Sequence, residues 1–254
     1  MHIARVVLRV SDLHRSIDWY GRVAGLDLRE RENGHAALGA PDGGPVLLEL
    51  REAERPGTAP RAAAGLFHTA FRYPTREALG ALLRRAIEGG ESLTGASDHA
   101  VSEALYLDDP DGIGVELYRD RPREKWPPPR PGDRVFMTTE PLDAEGVLAA
   151  AQGDLPDAAA GMDVGHVHLK VADVEQAVAF WTQEAGMELM ARYGADAAFL
   201  ADGGYHHHIG ANSWYSRGAA LEPHDGPGLD KVVLVGTPAR ALVTPDGVEV
   251  VFES

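Results

Sequence analysis

The fold is predicted by two stretches of sequence that lie 161 positions apart and resemble each other. Residues 5–28 read RVVLRVSDLHRSIDWYGRVAGLDL, and residues 166–189 read HVHLKVADVEQAVAFWTQEAGMEL. Aligned without gaps, they share seven identical residues, among them Asp12 with Asp173 and Gly25 with Gly186. The second half of the chain therefore repeats the first.

Each copy is predicted to form a strand followed by a helix. The first residues of each copy alternate between apolar and polar, which indicates a strand with one buried face. Asp12 and Asp173 follow these strands and are of a residue type that caps helix N-termini. Gly25 and Gly186 stand where a glycine in the left-handed conformation ends a helix.

Further strands complete four similar units. The first and third units continue with predicted strands at 36–38, 46–50, 198–200 and 206–212. A second unit has its predicted strands and helix at 67–73, 76–88, 104–107 and 114–118. The fourth unit passes directly from one strand to the next, with predicted strands at 231–235, 241–243 and 248–252. The sequence predicts an α+β fold of four tandem βαβββ units, the fourth truncated by the loss of its helix.

A proline-rich linker divides the chain. Residues 127–132 read PPPRPG, which forms neither a helix nor a central strand. We therefore expect an N-terminal domain at 1–122 and a C-terminal domain at 160–254, each made of two paired units. The linker and connector between them span 123–159 and include a predicted helix at about 142–152.

Composition excludes several classes of protein. The 254 residues (27.2 kDa) are 44% hydrophobic and 25% charged, as in an ordinary soluble globular protein. The chain has no cysteine, which excludes disulfides, thiolate metal sites and iron–sulfur clusters. No run approaches the ~20 apolar residues that a membrane span needs. The start, MHIARVV, does not resemble a signal peptide, so we expect a cytoplasmic protein without membrane partners.

The charge is strongly acidic. Against 39 Asp and Glu residues stand 24 Lys and Arg residues, a net charge of −15. Nucleic-acid binding needs clustered positive charge, so nucleic acid is not an expected partner. The balance fits an enzyme for small molecules, a protein that binds cations, or simply an acidic surface. Glycine-rich phosphate or dinucleotide loops, the HExxH motif and the GxSxG motif are all missing from the sequence.

Three stretches of the sequence carry a family resemblance. Residues 165–171 read GHVHLKV, residues 204–214 read GYHHHIGANSW, and residues 95–112 read GASDHAVSEALYLDDPDG. With the paired βαβββ units, they resemble the vicinal oxygen chelate superfamily of glyoxalase I, bleomycin-resistance proteins and extradiol dioxygenases. The similarity is greatest to the two-domain proteins of the catechol 2,3-dioxygenase type. It implies two glyoxalase/extradiol-dioxygenase-like domains, in which paired units form a cup and metal ligands project from their first and last strands.

Applied to the third and fourth units, the resemblance places four residues at the ligand positions: His166, His208, Lys231 and Glu249. The extradiol pattern is two histidines and one glutamate around Fe(II). Lys231 stands where the second histidine is expected, and a protonated lysine cannot ligate a metal.

Two alternatives follow. His208 itself ligates, giving a triad of His166, His208 and Glu249 around Fe(II) or another divalent metal, or it serves as the catalytic acid/base. In the other alternative the metal is lost and Lys231 pairs with Glu249. The expected substrate-binding side chains in either case are His168, His206, Lys231 and Tyr205.

The N-terminal units offer a second set at the same positions, namely Arg5, Glu49, His68 and Glu116. Because Arg5 would lie against both carboxylates, an ion-pair network is expected here rather than a metal site. His99 and Tyr106 are interpreted as parts of a structural turn and strand, and residues 108–112 as a turn.

Three functions remain open from sequence. The first is an Fe(II)-dependent enzyme that cleaves the ring of a small aromatic substrate. The second is a protein that sequesters a small molecule, as resistance proteins do, for which the charge of −15 favours a cationic aromatic ligand. The third is a divergent lyase or isomerase of the same superfamily. A homo-oligomer is compatible with all three.

Overall fold

The computed structural model describes residues 1–151, 158–221 and 225–254. The four units begin and end close to the predicted positions. The first unit contains β1 (His2–Val10), α1 (Leu13–Trp19), β2 (Asp27–Glu32), β3 (His35–Gly39) and β4 (Val46–Glu52). The second contains β5 (Gly65–Arg72), α2 (Arg76–Glu88), β6 (Leu93–Asp98), β7 (Ser102–Asp108) and β8 (Gly114–Asp120).

The connector contributes β9 (Glu140–Pro141) and α3 (Ala144–Ala150), and Gln152, the end of its predicted helix, lies outside the described residues. The third unit contains β10 (Asp163–Lys170), α4 (Val174–Ala179), β11 (Glu188–Tyr193), β12 (Ala197–Ala201) and β13 (Ile209–Asn212). The fourth contains β14 (Gly228–Val235), β15 (Arg240–Val243) and β16 (Glu249–Glu253). No helix separates β14 from β15, which confirms the predicted truncation.

The helix boundaries follow from local chemistry. The side chain of Asp12 accepts a hydrogen bond from the backbone N–H of Arg15, and Asp173 caps α4 in the same way. Both helices continue as π-helical turns at Tyr20–Ala24 and Phe180–Glu184. Gly25 and Gly186 then adopt φ values of 75° and 79°, the left-handed conformation that stops a helix.

The sheets join units in a different order from the predicted one. One seven-stranded sheet runs β15-β16-β14-β1-β4-β3-β2, so it contains the first and fourth units. The other, nine-stranded sheet runs β11-β12-β13-β10-β5-β8-β7-β6-β9 and contains the second and third units. At the two centres, β1 pairs antiparallel with β14, and β5 pairs antiparallel with β10.

The expected pairing of consecutive units is therefore corrected. The ranges 1–122 and 160–254 are the two copies of a sequence duplication, whereas each sheet takes one unit from either copy. The local sequence patterns predict the strands and the helix of each unit. They do not specify which two units pair through their first strands. Buried apolar side chains from both sheets and all four helices form one continuous core. Among the described residues, no helix is long and apolar enough to cross a membrane.

Candidate metal centre

Three strands at the centre of the nine-stranded sheet bring two histidines and a glutamate together. On β5, Ala70 lies opposite Glu116 of β8 on one side and opposite His166 of β10 on the other. His68 lies two residues before Ala70, so its side chain leaves the same face of the sheet. Because alanine is small, the space above it is open to the three longer side chains.

The three functional groups converge on one point. Oε2 of Glu116 lies 2.9 Å from Nε2 of His68 and 3.0 Å from Nε2 of His166. One potential ligand atom from each residue lies within 4.8 Å of the other two. His68 is 5% exposed, and Glu116 and His166 are each 2% exposed, so all three side chains are shielded from bulk solvent.

The donor set fits a divalent cation. Nε2 of His68 is buried and close to the carboxylate, but the approach lacks the geometry of a hydrogen bond. Two imidazoles and one carboxylate on one face are the ligands that leave coordination positions free in non-haem iron sites. Coordination of a cation would give Nε2 of His68 the partner that it otherwise lacks. These residues could therefore hold a metal.

The protonation states agree with this role. Burial alone would raise the pKa of Glu116, but the adjacent His166 and His68 outweigh burial and hold that pKa well below its ordinary value. Burial lowers the pKa of His166 to about 4, although Glu116 opposes the shift. An ionised carboxylate beside neutral imidazoles is the form in which these side chains ligate metals.

The centre lies at the floor of a cavity of about 540 Å³. His168 and His207 form one wall, where the ring centroids of His207 and His166 lie 4.1 Å apart. Phe67, Phe199 and Trp214 extend the wall with aromatic surface. Burial holds the pKa values of both wall histidines well below the ordinary value, so their rings are neutral.

A tyrosine and a histidine form the opposite side. Tyr106 of β7 pairs directly across from Glu116, and its hydroxyl lies 2.7 Å from Nε2 of His99. The carbonyl oxygen of Thr138 can only accept, so Nδ1–H of His99 donates to it over 2.6 Å. The other ring nitrogen of His99, Nε2, is the one that faces the tyrosine hydroxyl. Burial and the charge of Glu116 raise the pKa of Tyr106 well above its ordinary value, so it stays protonated.

The sequence matches one protein-family model and is similar to a named bacterial protein. Residues 2–117 match the model of the Glyoxalase/Bleomycin resistance protein/Dioxygenase superfamily. A Bacillus subtilis (strain 168) protein named catechol-2,3-dioxygenase is 43% identical over 238 residues, which cover 92% of this chain and 82% of that protein. The chain belongs to this superfamily.

Solved structures of the superfamily share the fold at low sequence identity. A Bacillus subtilis protein assigned as a dioxygenase aligns with a TM-score of 0.65 and 13% identity, covering 99% of this chain and 85% of its own. Glyoxalase I from Zea mays aligns with a TM-score of 0.57 and 17% identity, covering 99% of this chain and 91% of its own. At these identities the likeness concerns the fold alone.

The expected ligand positions, on the first and last strands of paired units, can be applied once the pairing of the units is known. His68 and Glu116 occupy the first and last strands of the second unit, and His166 occupies the first strand of the third. Strand alternation correctly aimed His166 and His168 into the cavity. His68 and Glu116 were assigned to an ion-pair network because the first unit was expected beside the second.

The expected triad of His166, His208 and Glu249 is not brought together. Glu249 lies on β16 of the other sheet, where it pairs with Lys231 at 3.3 Å. That ion pair was one of the two sequence alternatives, but Lys231 does not occupy a ligand position of the site described above. In the observed sheet, the histidine that lies with His166 beside a glutamate is His68.

His208 lies outside the described cavity lining, where His207 stands instead. Its ring lies against Tyr205, and its Nδ1 accepts a hydrogen bond from the backbone N–H of Asp202. The predicted strand at 206–212 begins only at Ile209, after a turn through Gly203 and Gly204 with positive φ. Residues 205–208 are irregular, so the two-residue alternation that assigned His208 to the cup does not apply there.

The other expected substrate-binding residues lie behind the cavity wall or in the second sheet. His206 is fully buried behind His207, and the hydroxyl of Tyr205 binds Asp120 and Tyr118. In the seven-stranded sheet, Arg5 pairs with Glu49 as predicted, but its second partner is Glu253 rather than Glu116. Those positions correspond to the metal centre of the other sheet and hold an ion-pair network.

Sequence reasoning did not assign His207, His99 or Tyr106 to the cavity. Tyr106 could have been found, because alternation along β7 places it on the face that pairs with Glu116. His99 belongs to a turn that holds the connector at Thr138, and no local pattern predicts that contact.

Proposed function

We propose that this chain cleaves the ring of a catechol beside one of its hydroxylated carbons, with an Fe(II) ion held by His68, Glu116 and His166. The observation that carries the proposal is the convergence of these three side chains at the floor of an aromatic-lined cavity. The name of the Bacillus subtilis relative supports it. When bound, the metal brings the diol oxygens and O2 together and conducts electrons between them.

The catechol and O2 together account for all atoms and electrons of the reaction. One carbon–carbon bond of the catechol breaks, and both atoms of O2 enter the product, which is a ring-opened acid with an aldehyde group. The organic substrate is oxidised and O2 is reduced, so no further reductant is needed. The chain must bind the ring, remove a phenolic proton and keep bulk water away.

His207 is proposed as the acid/base in place of His208. It lines the cavity beside His166, and its neutral ring can take a proton from a substrate hydroxyl and return it to the cleaved product. On the other side of the cavity lies the protonated hydroxyl of Tyr106, which is held in place by His99. Phe67, Phe199 and Trp214 stack on the ring and exclude water.

The test measures metal and oxygen together. Protein without a histidine tag is stripped with a chelator, reloaded with Fe(II) and supplied with catechol, while bound iron and oxygen consumption are recorded. We expect iron-dependent oxygen uptake in the wild type and loss of both iron and uptake in His68→Ala. The control is His35→Ala, a half-exposed histidine beside Glu49 in the other sheet.

Two results would contradict the proposal. Oxygen uptake that survives His68→Ala would remove the metal centre from the reaction. An iron-loaded wild type that binds catechols without consuming oxygen would favour the sequestering function instead. Cytoplasmic residence and homo-oligomerisation stay predictions from the sequence.

A further inference from the structure

A chain of hydrogen bonds leads from a buried carboxylate to the cavity wall. Nε2 of His206 lies 2.8 Å from Oδ1 of Asp120, and Nδ1 of His206 lies 2.7 Å from Nδ1 of His207. His206 is fully buried, and His207 is 5% exposed. His207 lines the cavity, and no described hydrogen bond involves its other nitrogen, Nε2.

The carboxylate is held in its ionised form. Its second oxygen, Oδ2, accepts hydrogen bonds from the guanidinium of Arg72 at 3.0 Å and from the hydroxyl of Tyr205 at 2.9 Å. Burial alone would raise the pKa of Asp120, but His206 and Arg72 outweigh it and lower that pKa. An ionised carboxylate has no proton to donate, so both of its oxygens accept.

The direction of every bond in the chain follows from that carboxylate. Nε2–H of His206 must donate to Asp120. When the ring of His206 carries a single proton, that proton is on Nε2, so Nδ1 of His206 accepts. Nδ1–H of His207 therefore donates to His206, and Nε2 of His207 carries a lone pair.

We propose that Asp120 and His206 are positioning residues that fix the ring tautomer of His207 and so keep a proton acceptor facing the cavity. The inference rests on the acid/base role proposed above for His207. With the opposite tautomer, Nε2 would carry a hydrogen and could not take a proton from a substrate hydroxyl. In the run of three histidines at 206–208, His206 thus positions the ring of His207, and His207 accepts the proton.

The substitution Asp120→Asn should reverse the whole chain. The amide oxygen can still accept from Arg72 and Tyr205, which leaves its NH2 group facing His206. Nε2 of His206 must then accept, Nδ1–H of His206 donates to His207, and the proton of His207 moves to Nε2. The matched control is Asp163→Asn, because Asp163 binds the same guanidinium without a described contact to His206.

The readout is the tautomer itself. Long-range ¹H–¹⁵N spectra of histidine-labelled, full-length protein loaded with diamagnetic Zn(II) distinguish protonated from unprotonated ring nitrogens, and His207→Gln identifies the signals of His207. We expect the Nδ1–H form of His207 in the wild type and in Asp163→Asn, and the Nε2–H form in Asp120→Asn. A wild-type His207 that already carries its proton on Nε2 would overturn the proposal without any variant.

A second variant guards against misfolding of the first. His206→Phe keeps an aromatic ring in the buried space but removes the acceptor, so His207 should lose its preference and populate both tautomers. An unchanged Nδ1–H form in either Asp120→Asn or His206→Phe would show that the chain of bonds does not set the tautomer.

Kinetics separate positioning from binding. Asp120→Asn should lower kcat by about 100-fold, within the range that a general acid/base contributes, while bound iron and the KM for catechol stay near the wild-type values. Asp163→Asn should keep the wild-type kcat. If the wild type shows no ring cleavage at all, the proposed function fails, whereas the spectra still decide the tautomer.

Discussion

At the scale of single residues, Asp109 couples stability to pH. Its Oδ1 accepts hydrogen bonds from the backbone N–H groups of Asp111 and Ile113, and the hydroxyl of Tyr20 donates to its Oδ2. Burial nevertheless dominates and raises the pKa of Asp109 from 3.8 to about 6. The folded protein therefore binds this proton more tightly than the unfolded chain does.

The sign of the effect follows. Between pH 4 and 6 the folded state holds the proton that the unfolded state has released, so the contribution of Asp109 to stability falls as pH rises. The rise in the pKa of Asp109 from 3.8 to about 6 corresponds to roughly 3 kcal/mol. Asp109→Asn should remove that fall, which is checked by the free energy of unfolding in denaturant from pH 4 to 7. Parallel pH curves for wild type and variant would contradict the assignment.

Glu116 should control metal binding at constant shape. Glu116→Gln keeps the side-chain volume but removes the charge between His68 and His166, so metal affinity should fall by more than the roughly 10–100-fold that follows loss of an outer-sphere partner. Isothermal titration with Fe(II) or Zn(II) measures the change. Glu249→Gln, a carboxylate from the seven-stranded sheet, should leave the affinity unaltered.

Lys231 should have no effect on the metal. The sequence placed Lys231 where a second histidine ligand was expected, but Lys231 pairs with Glu249 in the other sheet. We expect the same metal stoichiometry in Lys231→His and wild type, measured by elemental analysis after gel filtration. A second equivalent of tightly bound metal would mean that the ion-pair network can become a ligand set.

Residue-level prediction succeeded where the chain forms a continuous strand. The sequence could place His166 and His168 on the cavity face because β10 runs unbroken from Asp163 to Lys170. The identities of His207 and His208 could not be separated, because the chain turns at Gly203 and Gly204 and enters β13 only at Ile209. A single irregular residue reverses every assignment that depends on counting by two.

At the scale of elements, the close approach of β5 and β8 depends on Gly114. Gly114 lies opposite His68, and a Cβ added there would stand 2.1 Å from the backbone oxygen of Phe67. The strands can accommodate a methyl group only by moving apart. These are the strands that carry His68 and Glu116.

Gly114→Ala should therefore weaken both fold and site. We expect a loss of stability of about 1–3 kcal/mol, typical of overpacking, together with weaker metal binding. Thermal unfolding with and without Zn(II) measures both. Gly57→Ala is the control, because nothing lies within 4 Å of its Cβ position. Equal melting temperatures for the two variants would show that the strand contact is not tight.

Elements were well predicted because their signals are local. The caps at Asp12 and Asp173 and the glycines that end both π-helical turns could be placed from the sequence. The absence of a helix between β14 and β15 was equally clear from the short connection. The pairing of β1 with β14 could not be predicted, because neither strand has a sequence pattern that specifies its neighbour.

At the scale of the whole molecule, the crosswise pairing of units makes the two halves interdependent. The seven-stranded sheet needs β14 beside β1, and the candidate metal centre needs β10 beside β5. Fragments 1–141 and 142–254 should each fail to fold or to bind metal alone. Mixed or co-expressed, they should form a 1:1 complex with one metal site.

Circular dichroism, size-exclusion chromatography and metal analysis of the fragments, separately and together, provide the measurement. The intact chain with a protease site inserted at 141 serves as the control, because cleavage after folding should leave the complex and its metal in place. A folded, metal-binding fragment 1–141 would show that the second unit completes a site without β10.

The position of β1 also has a consequence for biosynthesis. This strand leaves the ribosome well before its neighbour β14, which is translated roughly two hundred residues later. At ordinary rates of 5–20 residues per second, the wait is about 10 to 40 s. During that interval one edge of β1 is unpaired, and unpaired strand edges are templates for aggregation. The nascent polypeptide, more than the folded protein, should thus depend on chaperones, and slower translation should lower the yield of folded protein.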